Sequence, residues 1–399
     1  MNSTPYRTSV LWFLLPSAAI FVLYSPALGW PYFWDDLTII TLVRSHSYAE
    51  LLTETLLGRY RPFDRALIKS LDHFLGPHGA VFGHFIALAA SALNATLVAQ
   101  LGRRLCSPSV GVLAGMLFAA YPLSYQAVTQ IAGLAHPIGL LLTLISVHSY
   151  IYFRHTGHWR WFLMTCLMVA AAPLTVETGV VTGALVVLSE IHLWFQHVPA
   201  RRSSPLQSLV PLAASLLASI WLLLVTRTQL SPNLPDLLKN ANYFLQGVTS
   251  PVSSAARILV SGGWNEQWAV FVVGASTVLF LLLVLLRTSQ RTSILFGLGW
   301  VLGTISVPWW TLPYDYVMNS PRVLYLPSVG VGLIWANAIT AAWNRTHLRW
   351  LSGSALVAML VFGVSVIRDN LRLYETSLPP LSDLARSAAG RPDDHLLVV

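Results

Sequence analysis

The sequence is dominated by apolar stretches of about 20 residues, the length at which an α-helix crosses the hydrocarbon core of a bilayer. Only 10% of the residues are charged, against about 25% in a typical soluble protein. The pattern therefore predicts an all-α polytopic membrane protein with about eleven transmembrane helices. The predicted spans are 9–29, 80–102, 109–126, 134–153, 160–176, 178–196, 207–226, 267–286, 291–311, 325–343 and 348–367.

The arginines predict how these spans are oriented. If the spans alternate in direction, the arginines of every short loop fall on one side, which is cytoplasmic by the positive-inside rule, as is the N-terminus. The loops at 30–79, 227–266 and 312–324 and the tail from Arg368 then lie outside. The arginines that set this orientation are Arg7, Arg103, Arg104, Arg154, Arg160, Arg201, Arg202, Arg287, Arg291, Arg345 and Arg349.

The net charge of +8 does not indicate a nucleic-acid partner, because the arginines are scattered between apolar stretches. It indicates contact with anionic membrane lipids instead. The short loops and the absence of repeats favour a bacterial inner (cell) membrane over the endoplasmic reticulum. We expect one membrane domain at 1–367, followed by a short extracytoplasmic tail at 368–399 that is partly disordered.

The first outer loop, 30–79, is expected to carry two helices that lie flat at the membrane interface. Residues 47–58 and 62–75 have apolar positions at helical spacing, but both segments are too short to span the membrane. The loop at 227–266 contains a similar segment. In 62–75 the predicted apolar face contains Phe63, Ala66, Leu67, Leu71 and Phe74, opposite Asp64, Arg65, Lys69 and Asp72.

The most prominent candidate for chemistry is the acidic pair Asp35 and Asp36, which follows the first span directly. Two adjacent carboxylates resist joint ionisation, so the pKa of one of them is expected to rise to a value that suits a general base. A divalent metal, Mg²⁺ or Mn²⁺, bound by Asp35 and Asp36 would relieve the same repulsion. The pair alone does not show whether these carboxylates act as a general base, bind a metal ion or only stabilise the end of a helix.

Six segments together resemble the GT-C-fold glycosyltransferases of the protein O-mannosyltransferase type. The resemblance is to the transmembrane O-mannosyltransferases that carry tetratricopeptide repeats, although those repeats are absent here. It extends from the first outer loop to the tenth span. The segments are FWDD at 33–36, RYRPF at 59–63, FGHFIALAASALNATL at 82–97, LFAAYPLSYQAV at 117–128, APLTVETGVV at 172–181 and PRVLYLPSVGVGL at 321–333.

The resemblance implies a sugar donor on a polyprenyl phosphate and transfer to a hydroxyl group at the outer leaflet. It also implies that the acidic residue after the first span, here Asp35, is the general base. The chain departs from the family pattern at several places, so its donor and acceptor can differ from those of its relatives. The departures are Tyr121, Gln126, Leu134, His136 and Val176.

Several other residues are candidates for the site. Arg322, at the outer end of a span, suits a phosphate because a guanidinium offers a fork of donors. Arg59 and Arg61 are further candidates for the donor phosphate, with anchoring at the membrane interface as the alternative reading. Glu177 is either functional or paired with an arginine of an outer loop. His84 is a weaker site candidate, and Asp315 either pairs with Arg322 or helps to bind the acceptor.

The leading hypothesis is an inverting transferase that moves mannose or another hexose to a protein Ser or Thr. One alternative is a GT-C transferase that modifies a glycolipid or glycan. A lipid transporter would instead place ionisable residues at mid-bilayer, whereas here they concentrate at the outer face. A non-catalytic scaffold with the same fold is the remaining alternative.

Overall fold

The computed structural model describes residues 6–196, 205–226, 234–250, 252–254, 264–287 and 291–389. These residues contain α-helices and short 3₁₀ turns but no β-sheet. The helices are α1 (Tyr6–Tyr24), α2 (Asp35–Ser45), α3 (Tyr48–Thr53), α4 (Pro62–Leu75), α5 (Gly79–Leu105), α6 (Pro108–Ala119), α7 (Tyr125–Thr129), α8 (Ala135–Thr156), α9 (Trp159–Thr175), α10 (Thr182–Phe195), α11 (Leu209–Thr226), α12 (Leu234–Thr249), α13 (Trp264–Arg287), α14 (Arg291–Thr311), α15 (Tyr314–Asn319), α16 (Ser328–Trp343) and α17 (Arg349–Ala389).

The all-α polytopic prediction is confirmed. Within the described residues, 6 helical segments are long and apolar enough to cross a membrane. Shorter apolar helices occupy the remaining predicted spans. The predicted span at 109–126 is shorter than expected, because α6 ends at Ala119 and a turn leads into α7. The long segments are Pro62–Leu105, Ile131–Thr156, Glu177–Phe195, Leu206–Thr226, Arg291–Thr311 and Thr346–Leu378.

Small residues let the central helices approach closely. A Cβ atom added at Gly111 in α6 would lie 2.3 Å from the carbonyl oxygen of Ala99 in α5. One added at Gly330 in α16 would lie 2.5 Å from the carbonyl oxygen of Gly297 in α14. Both distances are too short for a real contact, so these crossings require glycine, as is common where helices pack inside a membrane.

The amphipathic helix α4 buries both polar and apolar side chains against the protein, with Ile68 among the latter. Phe63 and Phe74 are exposed, the latter by 75%, whereas Asp64 and Arg65 are buried. Leu71, predicted on the same face as the phenylalanines, is buried as well. An outward apolar side fits a helix at a lipid interface. This orientation places Arg61, which directly precedes α4, inside the bundle.

The other predicted interfacial segments also form helices. Residues 47–58 contain α3, which is short and begins with a capping box between Ser47 and Glu50. The helix expected in the 227–266 loop is α12. Arg201 and Arg202 lie outside the described residues, and the side chains of Arg7 and Arg287 are not described.

Helix α17 is twice as long as the predicted span at 348–367. Its 41 residues correspond to about 60 Å, against about 30 Å for the hydrocarbon core. Residues 368–389 are therefore helical, residues 390–399 lie outside the described part, and the expected partial disorder of this tail stays a prediction. In this second half of the helix, Ser377 accepts a hydrogen bond from the Trp34 indole N–H at 3.3 Å.

Candidate active site

Asp35 stands at the exposed start of α2. Trp34 precedes the helix with a φ of 50°, a region that non-glycine residues rarely adopt and that is often found at functional sites. Both carboxylates lie in the first turn, where the helix dipole favours negative charge. The Asp35 side chain is 52% exposed, and its Oδ2 accepts a 2.8 Å hydrogen bond from Arg322 Nη2. Asp35 is thus an accessible carboxylate held in a fixed orientation.

Asp36 has a different environment, although it is the next residue. It is 1% exposed, and its Oδ1 accepts a 2.7 Å hydrogen bond from the backbone N–H of Ala132. Its Oδ2 accepts from the backbone N–H of Phe33 at 3.4 Å. Burial raises the pKa of Asp36 to about 7, and repulsion from Asp35 is a smaller contribution. Burial, and not the expected repulsion between the two carboxylates, is therefore the main cause of the raised pKa. The hydrogen bond from Ala132 indicates that Asp36 connects α2 to the turn before α8.

The two carboxylates do not fit a shared metal ion. Both oxygens of Asp36 face backbone N–H donors, and Asp35 is bound to a guanidinium. Among the residues that the structure describes, no group of three or more His, Cys, Asp or Glu side chains could hold a metal ion. The donor set thus lacks the several oxygen ligands that Mg²⁺ or Mn²⁺ requires.

Arg322 hydrogen-bonds to three other segments of the chain. Its guanidinium is buried and donates to Asp35, to Gln130 Oε1 at 3.1 Å from Nη1, and to the Tyr316 hydroxyl oxygen at 3.3 Å from Nη2. Gln130 in turn donates to the hydroxyl oxygen of Tyr374 in the second half of α17, at 3.5 Å. The predicted pairing of Asp315 with Arg322 is wrong, because Arg322 bonds Asp35 while Asp315 is exposed.

A cavity of about 390 Å³ lies beside this cluster, bordered mainly by α11, α14, the 176–180 segment and the loop at 58–61, with Tyr316 of α15 also on its lining. One end is polar and the walls are apolar, so the cavity suits a ligand with an ionic head and a hydrocarbon tail. The polar end contains Arg59, Arg61, His136, Glu177 and Tyr316. The apolar walls include Leu222, Leu223, Val307, Pro308, Trp310 and Leu312.

Glu177 forms an ion pair with Arg61, one of the two roles considered for it. Arg61 Nε donates to Oε1 at 2.9 Å, and Nη2 donates to Oε2 at 2.6 Å. The guanidinium is buried, while the Glu177 side chain is 28% exposed to the cavity. The guanidinium of Arg59 lies 4.5 Å from the centre of the Tyr316 ring. Arg59 and Arg61 therefore line the polar end, whereas Arg322 does not line the cavity and contacts Tyr316 there.

His84 does not join this group. It is buried in α5 and stacks on Phe33, with 6.5 Å between ring centres. Two residues at departures from the family pattern, His136 and Val176, do line the cavity. Tyr316, Gln130 and Tyr374 also belong to this site, although the sequence did not predict them. Tyr316 belongs to an aromatic segment that is also typical of a membrane interface, and nothing in the sequence distinguishes the two roles.

The enclosed Asp36 predicts a pH dependence of stability. Because its pKa is raised in the folded state, the folded protein keeps this proton between about pH 4 and pH 7, whereas the unfolded chain releases it. Its contribution to stability is therefore greatest at low pH and is lost as the pH rises to about 7. Asp36→Asn will flatten the decline in thermal midpoint between pH 5 and 7, measured in detergent, and the exposed-residue control Asp315→Asn will not. If the thermal midpoint declines equally steeply with pH in the wild type and in Asp36→Asn, Asp36 is not the group that causes the decline.

Comparison with known proteins supports the fold. No family model and no curated protein sequence matches the chain. Among solved structures, the archaeal oligosaccharyltransferase AglB from Archaeoglobus fulgidus, in complex with an inhibitory peptide and a dolichol-phosphate, aligns with a TM-score of 0.53 at 12% identity over 92% of this chain. The apo form of the Archaeoglobus fulgidus oligosaccharyltransferase aligns with a TM-score of 0.52 at 12% identity over 91%. The alignments cover 56% of each of those chains. The fold is thus GT-C-like, as predicted.

Proposed function

We propose that this protein is a glycosyltransferase that moves a hexose, mannose or a related sugar, from a polyprenyl-phosphate donor to a hydroxyl acceptor. The observation that carries the proposal is an accessible carboxylate, Asp35, bound to an arginine beside the polar end of an amphipathic cavity. The acceptor we favour is a protein Ser or Thr at the outer membrane face. The GT-C-like fold and the dolichol-phosphate and peptide bound to the AglB neighbour support this reading.

The cavity explains how the donor would bind. A phosphate at the polar end would be within reach of Arg59 and Arg61, which line it, and close to Arg322, which bonds Tyr316 there. Charge-assisted hydrogen bonds from guanidiniums suit phosphate oxygens. The prenyl chain would lie along the apolar walls that include Leu222 and Val307. Arg61 and Arg322 already pair with carboxylates, whereas the Arg59 guanidinium rests on a ring. The polar end can therefore take an anion.

The proposed reaction is a single displacement. Asp35 accepts the proton of the acceptor hydroxyl, and the oxygen forms a bond to the anomeric carbon of the sugar. The bond between that carbon and the phosphate oxygen breaks, and its electron pair leaves with the polyprenyl phosphate. The arginines stabilise the charge that develops on the phosphate. Attack opposite the leaving group inverts the anomeric centre.

The exposure of Asp35 favours a transferase over a non-catalytic scaffold. A carboxylate that served only to hold Arg322 would have no need to remain half exposed. The replacement of the family's usual charged residues by His136 and Val176, which both line the cavity, favours a difference in donor chemistry over a loss of the site. A glycan or lipid acceptor remains the alternative to a protein acceptor.

Donor binding can be tested by filling the apolar part of the cavity. Leu222→Trp places a larger side chain on the wall, and we expect it to weaken binding of a polyprenyl phosphate by about tenfold or more. Leu216→Trp, on the exposed side of the same helix, is the matched control and should bind normally. The measurement is equilibrium binding of a labelled polyprenyl phosphate to each purified variant in detergent. Equal affinity in both variants would place the lipid elsewhere.

A further inference from the structure

Tyr316 lies at the polar end of the cavity, close to Arg59, Arg61 and Arg322. It belongs to α15, the short helix between α14 and Arg322. Its hydroxyl oxygen accepts a hydrogen bond from Arg322 Nη2, the same nitrogen that binds Asp35. The guanidinium of Arg59 covers its ring, and the side chain lines the cavity. The phenol is therefore next to both the proposed base and the proposed phosphate position.

The electrostatic surroundings of this phenol are unusual. Burial raises the pKa of Tyr316, but the guanidiniums of Arg322, Arg59 and Arg61 outweigh that effect and lower the pKa to about 8. The nearby negative groups are bound to two of these cations, Asp35 to Arg322 and Glu177 to Arg61. The cations thus favour negative charge on the phenol oxygen.

We propose that Tyr316 is a fourth ligand of the donor phosphate and donates its O–H hydrogen bond to a phosphate oxygen between Arg59 and Arg322. The inference rests on the proposed function, because the phosphate is that of the lipid donor. A bound phosphate offsets the positive charge of the guanidiniums. The Tyr316 hydroxyl therefore keeps its proton and acts as a hydrogen-bond donor. The hydrogen bond strengthens as negative charge grows on the departing phosphate.

This role predicts a spectroscopic signal that a purely structural tyrosine would not give. Wild-type protein should contain one tyrosine that ionises near pH 8, seen as tyrosinate absorbance, and Tyr316→Phe should lack it. Adding a polyprenyl phosphate without sugar or acceptor should move this ionisation to higher pH in the wild type, because the phosphate offsets the guanidinium charge.

The matching binding experiment uses the same lipid. Tyr316→Phe removes the hydroxyl alone, and loss of one hydrogen bond to a charged group predicts about a tenfold weaker binding of polyprenyl phosphate. Tyr314→Phe, on the same helix but next to Lys239, is the control and should bind like the wild type. The inference is overturned if Tyr316→Phe binds with wild-type affinity, or if the lipid binds without moving the ionisation. Either result would leave the proposal of a polyprenyl-phosphate donor standing. A wild-type protein that binds no polyprenyl phosphate would overturn both that proposal and this inference.

Discussion

Asp35→Asn will lower the rate of sugar transfer by about 10²–10⁴-fold, the usual contribution of a general base. The substitution removes the proton acceptor but keeps the shape of the side chain, and the Asn carbonyl can still accept the hydrogen bond from Arg322 that Asp35 now accepts. Arg322 also keeps its contacts with Gln130 and Tyr316. The donor should therefore bind with nearly unchanged affinity, so that the loss falls on kcat.

The measurement is single-turnover transfer from a labelled polyprenyl-phosphate hexose to hydroxyl acceptors, together with donor binding. Glu54→Gln, at an exposed carboxylate just after α3, is the control and should transfer at the wild-type rate. If Asp35→Asn transfers as fast as the wild type while remaining folded, Asp35 is not the base. A loss of donor binding that accounts for the whole loss of rate would instead assign Asp35 to the positioning of Arg322.

Glu177→Leu is expected to destabilise the protein by about 3 kcal/mol, because it leaves a buried guanidinium without its counter-ion. Arg61 is 5% exposed and makes several hydrogen bonds to Glu177. Arg61→Met should cost less, since the Glu177 carboxylate that remains is partly exposed and can be hydrated. The measurement is the thermal unfolding midpoint of each variant in one detergent.

The double variant Arg61→Met with Glu177→Leu completes the cycle. With neither charge present, it should recover part of the stability that Glu177→Leu loses. It should nevertheless bind polyprenyl phosphate more weakly than the wild type, because Arg61 also lines the polar end of the cavity. If the double variant loses as much stability as the two single variants together, the ion pair contributes little to stability.

The spans could be predicted from sequence because hydrophobic length has a direct physical cause in the thickness of the bilayer. The length of α17 could not, since its second half is polar enough to resemble a loop and becomes ordered through tertiary contacts such as that between Trp34 and Ser377. The inward side of α4 likewise depends on what surrounds the helix. Periodicity predicted an amphipathic helix, but not that Asp64, Arg65 and Leu71 would be buried together.

The site was predictable only in part. Asp35 and Arg322 are each recognisable as residue types at the end of a span, but they are 287 residues apart, and no local pattern shows that they touch. Neighbouring residues with the same side chain, Asp35 and Asp36, also have opposite environments, because α2 turns one of them towards the backbone of Ala132. Burial, which sets the pKa of Asp36, is a property of the fold and not of the sequence pair.

The central claim is that the protein uses a sugar carried on a polyprenyl phosphate. The most direct test is to incubate the purified wild-type protein with polyprenyl-phosphate hexoses, labelled in the sugar, and hydroxyl acceptors, and to follow the lipid product. The account predicts that the sugar-linked lipid is consumed and that free polyprenyl phosphate accumulates in equal amount to the glycosylated acceptor. Complete recovery of every donor, with peptide, glycan and lipid acceptors and with or without Mg²⁺ or Mn²⁺, would contradict it.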